Sequence, residues 1–228
     1  MDQAFSWLLT GAMAFVGSHL LMSHPWRAGL LARLGEKGFM GLYSVVSFAT
    51  LGWTIAAFRS VGPGGAPLWD GTGEAMWIIA SLLSLVGITL LLGSLHGNPA
   101  MPQVPGEKIA AARATGVFAV TRHPMMWGIA LWALAHILVA PTPRVLVLMV
   151  AMAALALIGA RLQDRKKAVL LGVAWESWSA QTSYWPRLAG LGRISPLLWG
   201  IGVLVWLGAT FGHVHANHVL AGVWRWVL

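Results

Sequence analysis

Six stretches of this chain run for fifteen residues or more without an Asp, Glu, Lys or Arg: Phe5–Met22, Phe39–Phe58, Ala75–Leu95, Met125–Val139, Val145–Gly159 and Pro196–Phe211. A hydrocarbon layer about 30 Å thick takes about 20 apolar residues of helix to cross. Inside lipid the backbone must satisfy its own hydrogen bonds, so such runs pair as helix against helix. The expected fold is an all-α polytopic transmembrane bundle of about six spans, forming one domain over residues 1–228. Composition agrees: 10% of the 228 residues are charged, against about 25% in soluble domains. The first run lacks a basic leader and a small-residue cleavage site, so it reads as a retained helix.

The bases lie between the runs. Arg27, Arg33 and Lys37 follow the first, and Lys108, Arg113 and Arg122 precede the fourth. Arg161, Arg165, Lys166, Lys167, Arg187 and Arg193 follow the fifth, leaving Arg59, Arg144 and Arg225 for the other side. That bias predicts a cytoplasmic location for the first three groups and an outward N-terminus. It also accounts for the net charge of +8 as a topology signal, with the lipid bilayer and not nucleic acid as the partner. Gln163 to Tyr184 mixes Lys166, Lys167 and Glu176 with Val169, Leu170, Leu171, Trp175 and Trp178. The pattern suits an amphipathic helix along the headgroups, with its aromatic rings at the interface.

No cysteine is present, which removes disulfides, thiolate-ligated haem, iron–sulfur clusters and cysteine zinc sites. The seven carboxylates are read as lying outside the spans, with no close pair for acid–base work, which argues against a hydrolase. Eight histidines stand out in so apolar a chain. His24, His96, His213 and His215 read as interfacial anchors. His19 and His136 fall within spans, where an ionisable group is costly. Each is either a core histidine bonded to a backbone carbonyl or an axial ligand to haem iron from facing helices.

Several segments together resemble one family. They are Ser18-His19, Leu30–Phe39, Leu42–Ser47, Asn98-Pro99, Gly116–Met125 with its Arg122-His123-Pro124, and Leu131–His136. Ala174-Trp175 to Thr182-Ser183 and His218 with Gly222 extend the likeness over nearly the whole chain. The family is NnrU, bacterial inner-membrane proteins linked to denitrification and similar to ζ-carotene isomerase of plants and cyanobacteria. The resemblance implies an all-helical membrane domain. From the isomerase branch it implies a haem b acting in cis–trans isomerisation of a lipophilic polyene such as ζ-carotene. His19 and His136 are the matching axial positions, with His123 nearby. The isomerase branch has cysteine three residues before the second histidine, where this chain has Ala133. By helical rise His136 should lie about 18 Å and His19 about 8 Å from the basic ends of their spans, a depth that suits His123 as a reserve ligand.

Two other classes stay open. Thr121–Pro124 with Trp175–Arg187 also looks like the isoprenylcysteine and phospholipid methyltransferases, which hold S-adenosylmethionine there; Asp164 and Glu176 are the acidic candidates. The denitrification link suggests a non-enzymatic accessory factor for nitric oxide reduction.

Overall fold

The computed structural model describes residues 2–101 and 104–228, and among these there is no strand. The helices are α1 (Gln3–Ser23), α2 (Arg27–Ser60), α3 (Glu74–Gly93), α4 (Gly106–Ala110), α5 (Pro124–Val139), α6 (Pro143–Leu171), α7 (Val173–Gln181), α8 (Pro196–Asn217) and α9 (Trp224–Val227). α1, α2, α3, α6 and α8 are long and apolar enough to cross a membrane, and α5 is shorter. This is a multi-pass membrane protein. Sixteen residues give α5 a length of about 24 Å.

Proline opens α5, α6 and α8 at their first turns, where its missing N–H costs no hydrogen bond. The Ser195 hydroxyl oxygen accepts from the Leu198 N–H and caps α8. Side by side, the membrane helices follow the order α2, α1, α6, α5, α3, α8. The most extensive packing is α3 on α5. A Cβ on Gly87 would stand 2.8 Å from the Gly128 carbonyl oxygen, and one on Gly128 would stand 2.5 Å from that of Gly87. Lipid offers no hydrophobic drive between helices, so backbone contact through small residues is how they associate.

Hydrogen bonds tie the loops into two separate ends. At the basic end, the Lys167 ammonium donates to the Pro99 and Met101 carbonyls. At the opposite end, Leu68 N–H donates to Pro141 O, Arg144 to Gly62 O, and Arg225 to Thr72 O.

Helical structure departs from the apolar runs in two places. α2 begins at Arg27, and Gly35, at φ 66°, breaks it into a short basic segment and the span proper. α6 does not stop at Gly159 but continues to Leu171, where Gly172 at φ 48° ends it. The expected surface helix over Gln163–Tyr184 is therefore the end of α6, a sharp turn and the nine-residue α7. Its tryptophans are packed inside the protein and do not face the headgroups as exposed rings. Trp175 and Trp178, 2% and 0% exposed, are buried with Leu90, Ile109, Val117, Phe118 and Ile194. The segment between α3 and α5 folds over α7, so the main buried apolar cluster sits at the basic end.

Candidate functional site

The corner Thr121–Pro124 organises that basic end. Thr121 Oγ1 shares its proton between Ser183 O at 3.1 Å and Tyr184 O at 2.8 Å. Arg122 N–H donates to Ser183 O, Arg187 N–H to Val120 O, and the Trp127 indole to Tyr184 O. These bonds fasten the extended stretch after α7 to the start of α5. The Tyr184 hydroxyl then donates to Leu157 O on α6.

Asp164 lies on the part of α6 that extends past the apolar run ending at Gly159, and it is buried there. Arg122 donates to it through Nε and Nη2, the shortest contact being 2.6 Å. His123 Nε2 lies 2.7 Å from Asp164 Oδ1. A buried carboxylate stays ionised only when paired and hydrogen-bonded, and Arg122 supplies that pairing. Against an ionised, acceptor-only oxygen, His123 carries its proton on Nε2. This reserve ligand has therefore committed one ring nitrogen to a carboxylate.

His19 sits between the Phe15 and Tyr43 rings, at centroid distances of 4.5 and 5.3 Å. Its Nδ1 donates to Phe15 O at 2.8 Å. His136 does the same one turn back along α5, with Nδ1 2.8 Å from Trp132 O. A carbonyl can only accept, so both rings hold their proton on Nδ1 and keep a lone pair on Nε2. That tautomer suits a core histidine and an iron ligand alike.

The two rings are not brought together. His19 lies four residues before the basic end of α1, and His136 three residues before the opposite end of α5. α6 stands between α1 and α5 in the helix order. The imidazole that meets His136 is His213 of α8, at 5.9 Å between centroids; its Nδ1 also bonds a backbone carbonyl, that of Ala209. Among the described residues no three His, Asp or Glu side chains gather into a metal-binding group. Each imidazole thus fits a haem iron as a single donor, while the conformation does not converge His19 with His136.

Beside Asp164 a groove of about 240 Å³ opens between α6 and α7, lined by Arg161, Arg165, Trp175, Glu176 and Ser179 with Arg122. The burial of Asp164 and Lys167 was the feature hardest to see in the sequence. They stand in a run Asp-Arg-Lys-Lys that reads as solvated, yet the buried positions of α6 are Met149, Ala156, Ala160, Asp164 and Lys167. That spacing is one helical face, and following it past Ala160 would have found both.

Compared with known proteins, residues 7–223 match the family described as NnrU protein. The chain is 29% identical over 161 residues to "15-cis-zeta-carotene isomerase, chloroplastic" of Arabidopsis thaliana, covering 68% of this chain and 42% of that protein. The match thus spans about two fifths of the relative's length. No solved structure matches.

Proposed function

The chain belongs to the NnrU family, and on that premise we propose that it is a membrane-embedded isomerase acting on a 15-cis double bond of a long carotenoid polyene. The observation that carries this reading is the likeness to a 15-cis-ζ-carotene isomerase. It agrees with the chemistry of the bundle. A hydrocarbon polyene has no group to hydrogen-bond, so its site needs apolar walls and few polar atoms. His19 and His136 are polar groups set in otherwise apolar helices, a placement that is costly and marks function.

In this reading His136 would donate to the iron of a haem b, with His19 as the alternative donor. The bound group would supply an iron that shares electron density with the conjugated chain. The protein's part is to orient the donors and exclude water. Trp132 O fixes the His136 tautomer, and the Phe15 and Tyr43 rings hold His19 in place. The basic end faces the cytoplasm of a bacterial cell and the N-terminus faces outward.

The test is expression in cells that accumulate 15-cis-ζ-carotene, followed by chromatography of extracted pigments. The expected result is a shift to the 15-trans isomer that His136→Ala abolishes. An unchanged isomer ratio, with the protein verified in the membrane, would end this reading.

A further inference from the structure

The groove at the basic end carries charges that form no ion pair among the described residues. Arg161 and Arg165 are one turn apart on α6, so they share a face. Glu176 and Ser179, three apart on α7, form the facing wall, with Trp175 at the base. Among the described residues the salt bridges here are those of Asp164 with Arg122 and His123. Arg161 stacks over the Tyr184 ring at 5.7 Å, and neither it nor Arg165 pairs with a carboxylate. Two exposed guanidinium groups and one carboxylate therefore line the same groove without closing on each other.

Charge and size limit what can fill it. Arg122 and Asp164 cancel, which leaves two positive charges from Arg161 and Arg165 against one negative from Glu176. A single negative charge on the ligand brings the groove to neutrality. At about 240 Å³ it falls below the roughly 300–1,000 Å³ of pockets that enclose whole drug-sized molecules, so it suits a headgroup and not a polyene. Arginine forks match phosphate oxygens two at a time. The groove also lies at the basic end of the spans, the level of lipid headgroups.

We propose that this groove is a phosphate site, in which Arg161 and Arg165 clamp a phosphodiester monoanion while Glu176 and Ser179 accept hydrogen bonds from hydroxyls on the same ligand. A glycerol-bearing anionic lipid headgroup has this chemistry; free phosphate has the first half of it. The site is separate from the polyene chemistry and stands without it.

The experiment is native mass spectrometry of the full chain in detergent with added phosphatidylglycerol, phosphatidylethanolamine or inorganic phosphate. Phosphatidylglycerol is expected to be retained about tenfold better than phosphatidylethanolamine. Arg161→Gln/Arg165→Gln removes that preference, and Arg161→Lys/Arg165→Lys keeps only part of it. Arg113→Gln/Arg193→Gln, which lowers the charge of the same end equally, leaves the preference intact. Competition by millimolar inorganic phosphate identifies the free anion as an alternative ligand of the clamp; absence of competition assigns the site to lipid. All four arginines are exposed, so an unchanged thermal midpoint is expected in each variant. Equal retention of the two lipids, or equal loss in both glutamine pairs, overturns the proposal.

Discussion

His123, the residue that precedes α5, and Asp164 on α6 meet at 2.7 Å, and the same carboxylate receives the Arg122 fork. The Arg-His-Pro motif therefore acts first as a clamp between helices. The corner that starts α5, the end of α6 and the stretch after α7 are held at one point.

Asp164→Asn leaves the partly buried Arg122 without its counter-charge. Removing one partner of a buried pair costs about 3–5 kcal/mol. A loss of this order is expected in reversible unfolding of the detergent-solubilised protein. Arg122→Met combined with Asp164→Leu removes both charges and should recover most of that loss. A single Asp164→Asn variant as stable as the wild type would show that the pair carries no net weight.

Gly87→Leu and Gly128→Leu each drive a side chain into a facing carbonyl, since even a Cβ would come within 2.8 Å of it. Overpacking of this kind costs about 1–3 kcal/mol or more. Size-exclusion profiles should turn polydisperse for both. Gly17→Ala, where a Cβ meets nothing within 4 Å, should remain monodisperse.

Protein purified from haem-supplemented cells is expected to show a haem b spectrum that changes on reduction. His136→Ala should lower haem content several-fold. His123→Ala should leave the spectrum in place while reducing thermal stability, because its Nε2 serves Asp164. An intact spectrum in His136→Ala would remove that residue as a donor.

His24, between α1 and α2, is held below its ordinary value by burial first, then by the nearby Lys166 ammonium, with Arg27 adding to it. The unfolded chain then takes up this proton at a higher pH than the folded one. Stability from this group is complete above about pH 6.5 and is lost as pH falls from there toward the lower folded value. Thermal midpoints measured from pH 8 to 5 should fall on the acid side. His24→Gln should make that fall shallower; an identical slope would assign it to other groups.

The apolar runs were enough to locate six helices, because lipid leaves an uncharged run of that length almost no other way to satisfy its backbone. The Ser18-His19, Arg122-His123-Pro124 and Leu131–His136 segments were likewise enough to point to the family. Helix ends were less legible, since Arg27 and Lys166 can continue a helix once it leaves the hydrocarbon. Gly35 and Gly172 mark the real breaks through their backbone conformation. Which side chains meet was decided only in three dimensions. Asp164 lies 41 residues from His123, and His136 lies beyond α6 from His19. Distances of that kind depend on how helices are ordered side by side, and the apolarity that makes each helix span the membrane says nothing about which helix lies next to which.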